Sequence, residues 1–501
     1  MHEHLLTLSV LVLLALSAES KVTLLSSSIV LIGAEDHVLR GDTSRCIQMV
    51  DRAANQSNSR LNFEPTLFWV DKSRKSTKPG QASTISLFCF QRYLQPDGAV
   101  TCKPASQTDI DAFQEGMQAC FARAVHHNMS IEITPQLTDG TQYGAWQNLL
   151  NFNPLLDYED FSYMDVMLTP LAHAINAVIK EKTKVFFTLQ GSMGASVFRH
   201  PIEYLQAAGT LHHHMQDGLP LHWSEFIQFG ISLNFNKLCG CVLTEIADSA
   251  AYIKLFPAAL RAFKHHFDFE ILHELFDRID YITMSGLAPL SPAFVAGDLQ
   301  TTIELFDAEL SEFGIDLHKR LIDQTLELHW SDIGIGGGNS PDGIPAGNAA
   351  QAAQNPSWGI IGNYRQNTDP WMLHAMNTTT SPVRSFLSHF YNQTTEFLWK
   401  QHESKYQVDA AYLKNYGSWD VQGIYPDSTT QEGSYYYGSA AHVIRHHNWR
   451  TQRLTTLAAT LGEAGIKFLI ESRELQYKMP AIKLPDKRPV SVSQSKAHHV
   501  L

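Results

Sequence analysis

The chain has 501 residues, with 38 Lys and Arg against 50 Asp and Glu for a net charge of −12, and it is 44% apolar and only 18% charged. That balance excludes a disordered chain and offers no basic face for phosphate, so nucleic acid is not an expected partner. The length allows one large barrel with insertions or as many as three domains of roughly 150 residues, and either buries a sizeable core.

Residues 5–18 form the long apolar run, flanked by Met1-His2-Glu3-His4 and Glu19-Ser20-Lys21. Fourteen residues are too few to cross a bilayer comfortably and match the apolar core of a secretory signal. Ala18 and Ser20 satisfy the small-x-small cleavage rule, so residues 1–20 are expected to be removed, leaving a secreted chain without a membrane span. The leader has no Lys or Arg before its apolar core, which leaves an uncleaved anchor as the alternative. Sequons at Asn55, Asn128, Asn377 and Asn392 suit a secretory route and a glycoprotein. Six cysteines (Cys46, Cys89, Cys102, Cys120, Cys239 and Cys241) are too few for a disulfide scaffold; Cys89 and Cys102 flank a polar loop and are the expected pair. Cys239-Gly240-Cys241 has neither CxxC spacing nor a matching second pair, so it reads as structural.

From about residue 28 the chain alternates short apolar segments with amphipathic helical patterns, the signature of parallel βα units. The expected strands are 28–33, 61–70, 130–135, 184–190, 227–234, 281–285, 325–333 and 410–416. Eight is the number that closes an α/β TIM barrel, a (β/α)8 fold. Helical patterns lie between them at 108–126, 163–182, 249–266, 301–313 and 383–399. No internal repeat or long linker divides the chain, so residues 21–483 read as one domain and 484–501 as a disordered polar tail. Long insertions at 71–107, 140–160 and 334–382 follow individual strands, on the C-terminal face where barrel enzymes build their sites.

Two strand ends stand out. Phe187-Thr188-Leu189-Gln190-Gly191-Ser192 runs from the fourth strand into a tight turn, and His329-Trp330-Ser331-Asp332-Ile333-Gly334 does the same at the seventh. With Thr134-Pro135-Gln136-Leu137-Thr138-Asp139-Gly140 and Trp146-Gln147-Asn148 after the third strand, Ser232-Leu233-Asn234 on the fifth and Ser285-Gly286-Leu287 after the sixth, the chain resembles the clan-A TIM-barrel glycoside hydrolases, the group of β-mannanases and galactanases. The likeness covers roughly residues 28–455. It implies hydrolysis or binding of β-linked polysaccharide, with a Glu acid/base at the end of strand four and a Glu nucleophile at the end of strand seven.

The chain departs from that pattern at both places, because Ser192 matches the acid/base position and Asp332 the nucleophile. Serine cannot deliver a proton at neutral pH, and general-acid help is worth about 10² to 10⁴ in rate. Aspartate withdraws its carboxylate by roughly 1 Å, which can cost about 10²-fold. Leu287 stands where the group commonly has a Tyr. Impaired hydrolysis, or a pseudoenzyme that only binds sugar, is therefore expected. Glu327 is an alternative nucleophile, although its odd offset from Asp332 would put the two on opposite faces of a regular strand. Asp71, Asp139 and Asp420 are candidate replacement acids. Stacking rings and planar amides suit sugars, so Trp69, Trp146, Trp330 and Trp419 with Gln136, Asn148, Gln190 and Asn234 are the expected cleft.

Other chemistries find less support. A serine hydrolase using Ser192 would want a small residue where Gln190 stands, and a late histidine such as His442, His446 or His447. Gly334-Ile335-Gly336-Gly337-Gly338 fits neither nucleotide-loop pattern. Adjacent residues diverge by about 100° on a helix, so His212-His213-His214 cannot converge on one metal. No metal or cofactor is expected, and nothing in the sequence sets an oligomeric state.

Overall fold

Eight parallel strands pair edge to edge until the last meets the first. The protein is described here from a computed structural model, which covers residues 23–448 apart from 56–57, 74–83, 95–99, 142–144, 181–182, 217–225, 236, 242–248, 286–289, 334–381, 402–403 and 414–446. In chain order the strands are β1 (Leu25–Ile32), β2 (Arg60–Val70), the short β3 (Leu87–Cys89), β4 (Arg92–Leu94) and β5 (Val100–Cys102), then β6 (Ser130–Ile133), β7 (Gln136–Asp139), β8 (Val185–Thr188), β9 (Ile227–Asn234), β10 (Tyr281–Ser285), β11 (Glu327–Ile333) and β12 (Ala410–Leu413). The ring runs β1-β2-β6-β8-β9-β10-β11-β12 and closes through parallel pairing of Leu25 with Ala411. This is the (β/α)8 barrel expected from the strand count. The insertion at 71–107 carries β3, antiparallel to the end of β2, and the β4–β5 hairpin. The insertion at 334–382 lies almost wholly outside the described residues, as do the expected leader and tail.

Two elements differ from the sequence expectation. The third strand is interrupted at Pro135, which has no N–H for the ladder; pairing with β2 resumes in β7. The helical pattern at 163–182 opens with one π turn, Met164–Leu168, before an α-helix at Thr169–Asn176 with Pro170 in its first turn.

The outer helices present apolar stripes to the ring. α1 (Arg45–Ala54) is capped by Ser44, whose hydroxyl accepts from the Ile47 amide. α2 (Gln107–His126) starts at a capping box between Ser106 and Asp109, and buries Ile110, Phe113, Met117, Cys120, Phe121 and Ala124. Phe121 meets Phe63 of β2 edge-on at 5.2 Å. A disulfide from Cys46 to Cys120 staples α1 to α2, and Cys89–Cys102 ties the β3 insertion as expected. Cys239 and Cys241 are also bonded to each other. Trp69 and Trp330 point outward into this layer; both are fully buried, and Trp330 packs edge-on against Phe397 of α3 (Pro382–Trp399). They are core residues rather than the sugar platforms expected of them.

The bore is unusual. Barrel interiors are commonly filled by Val, Ile and Leu, whereas alternation here turns Ser28, Arg60, Asn62, Glu64, Glu132, Thr188, Ser232, Thr283 and His329 inward. Near its N-terminal end, the Glu132 carboxylate accepts from His329 Nδ1 at 2.8 Å and from the Tyr412 hydroxyl at 2.6 Å. The other ring nitrogen of His329 faces Glu327 at 3.3 Å. The Arg60 guanidinium lies 4.5 Å over the Phe186 ring, and Tyr281 stacks on His329 at 4.6 Å. Opposite charges thus meet in the wall, which makes the burial of Arg60, Glu132 and His329 tolerable. Burial alone would lower the His329 pKa; the charges and hydrogen bonds of Glu132 and Glu327 outweigh it and raise the group above its ordinary value.

That direction sets a pH dependence. A raised folded-state pKa contributes stability that is complete below the unfolded value of 6.5 and is lost as pH climbs through the folded value. Thermal melts from pH 6.5 to 9 should show wild type losing stability with rising pH more steeply than a His329→Gln variant; parallel profiles would contradict the ion pair. Packing gives a second expectation. A Cβ at Gly230 would lie 2.5 Å from the Tyr281 ring, which takes the space that the glycine leaves in the bore. Gly230→Ala should therefore destabilise the fold by about 1–3 kcal/mol in urea unfolding, while Gly209→Ala, with open space around it, should not.

Candidate functional site

The C-terminal end of the bore is built from strand ends. After β8 the chain turns at Gly191 and Ser192, and Ser192 takes a left-handed φ of 56° before the short helix Gly194–Arg199. Its amide donates to the Ser232 carbonyl at 3.2 Å, fixing the turn on β9. Its hydroxyl lies 2.8 Å from that of Ser285 at the end of β10, and the Ser285 hydroxyl donates to Asn234 Oδ1 on β9 at 3.0 Å. Because the Ser285 proton is committed to Asn234, the Ser192 proton points at Ser285 Oγ. Among the described residues no base is hydrogen-bonded to the Ser192 hydroxyl. His447, the one late histidine among the described residues, turns Nε2 to the Thr23 carbonyl, and His442 and His446 lie outside them. The serine-hydrolase alternative is not supported by this arrangement.

Asp332 pairs through its backbone with Ser285, because a bulge after Trp330 leaves Ser331 as the extra residue. The two strand ends singled out in the sequence are thus brought to one rim: Ser192 bonds Ser285, and Ser285 is the register partner of Asp332. The bulge also corrects the parity argument. Glu327 is paired with Tyr281 and Asp332 with Ser285, so the regular alternation that the odd offset assumed does not hold along the strand. What removes Glu327 from the nucleophile role is height: it is the first residue of β11, at the N-terminal end, bonded to His329.

Several expected sugar ligands hold the loops together instead. Gln190 donates from Nε2 to the Ser232 carbonyl at 2.5 Å and accepts from the Met193 amide at 2.6 Å. Asn148 donates to the Lys237 carbonyl at 2.7 Å and accepts from the Gly194 amide at 3.0 Å. With both amide ends occupied and no exposure, these two are clips. Asp139 caps its own loop, accepting from Thr141 and from the Ala145 amide, and Asp71 does the same for Ser73 and Thr84. Neither is placed as a replacement acid. Gln136 packs over Gly191, where a Cβ would meet its amide at 2.6 Å. Trp146 remains partly exposed, with Lys237 Nζ 6.0 Å from its ring, and Trp419 and Asp420 lie outside the described residues.

Three other groups stand open here, of which sequence reasoning named Asn234 and passed over Ser232 and Thr283. Ser232 Oγ, Thr283 Oγ1 and Asn234 Nδ2 are buried atoms on β9 and β10 with no hydrogen-bond partner among the described residues. Buried polar groups in native proteins are nearly always satisfied, so two hydroxyls and an amide left open toward one bore mark a place that receives a hydroxylated ligand or water. Their signal was the run of polar or small residues at every second position of an otherwise apolar strand: Gln228, Gly230, Ser232 and Asn234 on β9, and Thr283 and Ser285 on β10. Among the described residues no cluster of His, Cys, Asp and Glu is arranged to hold a metal, and His212 and His214 turn to different neighbours, Phe229 and His173.

No protein-family model matches the chain, and no curated protein sequence matches it. Solved structures do. The GH113 β-mannanase AaManA from Alicyclobacillus acidocaldarius, in complex with ManMIm, is similar over 86% of this chain and 100% of its own at 12% identity and a TM-score of 0.41. A further GH113 β-1,4-mannanase is similar over 84% of this chain and 97% of its own at 10% identity and a TM-score of 0.42. The hyperthermostable endo-1,4-β-D-mannanase from Thermotoga petrophila RKU-1 is similar over 85% of this chain and 99% of its own at 9% identity and a TM-score of 0.38.

Proposed function

We propose that the chain is a secreted glycoside-hydrolase-like barrel that takes β-linked polysaccharide at its C-terminal mouth and hydrolyses it slowly. The observation that carries the reading is the mouth itself: buried hydroxyl and amide groups of Ser232, Thr283 and Asn234 without partners, under a rim formed by Ser192, Ser285 and the backbone of Asp332. Sugars present many hydroxyls, each both donor and acceptor, and such groups suit them. The partly exposed Trp146, with Lys237 Nζ 6.0 Å from its ring, adds a stacking surface. Asp332 serves as the carboxylate of the reaction. Ser192 cannot replace a general acid, because its proton is already directed to Ser285. Secretion follows from the leader-like residues 1–20, and among the described residues no helix is long and apolar enough to cross a membrane. A sugar-binding barrel without turnover is the second reading, favoured by the same closed Ser192 hydrogen bond.

Mannan, galactan, xylan and glucan incubated with the full chain decide between the two. Slow release of reducing sugar that falls by about 10²-fold or more in Asp332→Asn is the expected result. Binding without release would favour the second reading, and neither binding nor release on any polymer would overturn both. A Ser192→Glu variant should speed release by about 10²-fold or more if that position can host the acid.

A further inference from the structure

Loops that follow β7, β8 and β9 are fastened to one another at the C-terminal face. Past the end of β9, Lys237 takes a left-handed φ of 57° and Gly240 one of 56°. The Lys237 carbonyl accepts from Asn148 of the loop after β7, and Asn148 in turn accepts from the Gly194 amide, just beyond Ser192 of the rim. These backbones touch: a Cβ at Gly194 would lie 1.7 Å from the Leu238 carbonyl oxygen, and one at Gly240 would lie 2.1 Å from that of Asn148. The bonded pair Cys239 and Cys241 closes the same turn.

What ties this cluster to the helical layer is one carboxyl group. Glu309, on the helix Gln300–Glu312, is 1% exposed. Its Oε1 accepts from the Lys237 amide at 2.8 Å and from the Tyr252 hydroxyl, and its Oε2 accepts from the Leu238 amide at 2.7 Å. Tyr252 comes from the helix Ser249–Arg261. Among the described residues Glu309 makes no ion pair, and the titratable groups that act on it are Tyr252 and Lys237. Burial pushes its pKa up from 4.5 to about 7, against the pull of the Tyr252 hydroxyl, the two amides and the Lys237 charge.

We propose that Glu309 is a positioning residue for the mouth, which locks the loops after β7, β8 and β9 together while its carboxyl is neutral and loosens them once it is charged. For what the mouth receives, the inference rests on the polysaccharide reading above. In the closed arrangement a carboxylate is sealed from water without a cation bonded to it, and opening the turn rehydrates it. The neutral carboxyl keeps its partners, since a proton on Oε1 can go to the Tyr252 oxygen while Oε2 still accepts from the Leu238 amide. A carboxyl whose pKa is raised by closure favours closure fully below 4.5, and that contribution is lost as pH climbs to about 7.

Hydrogen exchange of the full chain, followed by mass spectrometry with intrinsic rates divided out, tests the lock without a ligand. Protection of residues 146–150, 192–199 and 237–241 should fall by about tenfold or more between about pH 5 and about pH 7 and level off above, while α2 holds. Glu309→Gln, neutral at every pH, should keep these segments protected throughout. Tyr252→Phe removes a bond that holds the Glu309 pKa down, so its levelling point should move to higher pH. Wild-type protection that ignores pH, an equal fall in the Glu309→Gln variant or an equal fall in α2 would overturn the proposal and leave the polysaccharide reading standing. If Glu309→Gln does not fold, judged by its melt, Tyr252→Phe decides, and an unmoved levelling point overturns the proposal. Binding of mannan, galactan, xylan or glucan should weaken by about tenfold over the same window in wild type and not in Glu309→Gln. Binding that ignores pH while the loops respond would overturn the positioning role. Failure of wild type to bind any of the four would overturn the polysaccharide reading, and the exchange result alone then decides whether Glu309 locks the loops.

Discussion

Closing eight strands into a ring is the constraint from which the rest follows. Once β12 pairs with β1, every second residue of each strand is enclosed in a bore about as wide as the side chains that fill it. A charged group there has no water to turn to and must find its counter-charge across the ring. Arg60, Glu132, Glu327 and His329 come from three strands, and each is tolerable only because the others are present. The same enclosure explains Gly230: Tyr281 fills the room that a side chain on β9 would need.

The bore divides by height. At the N-terminal end the polar groups answer one another, with Glu132 accepting from both Tyr412 and His329. At the C-terminal end hydroxyls and amides remain open on β9 and β10. The first arrangement stabilises the fold, and the second leaves polar groups without partners among the described residues. Between them stands Glu64, buried in the wall beside Asn62. The loops above are set by polar side chains acting as clips, and Gln190 and Asn148 shape the rim by bonding backbone at both amide ends.

Much of the fold was legible in advance, because strand formation here depends on local pattern. Apolar runs bounded by turns gave all eight strands, with boundaries displaced by a few residues, and Cys89 and Cys102 were close enough in sequence to suggest their pairing. The site was read less well. A tryptophan's rank as platform or core depends on which side of the wall it faces: Trp330 belongs to the outward set of β11 and is sealed under Phe397. An amide looks like a sugar ligand until both its ends are seen to hold backbone. Glu327 and Asp332 were judged on regular alternation, which the bulge after Trp330 breaks.

By itself, then, the sequence determined the number and order of strands, the helices between them and the loops that carry polar residues, since each follows from the period of apolar side chains along a few consecutive residues. Which polar residues share a height in the bore was decided by the tertiary structure alone. Shear, tilt and one bulge set that alignment, joining Glu132 to His329 and Tyr412, and Ser192 to Ser285, across separations that no local pattern encodes.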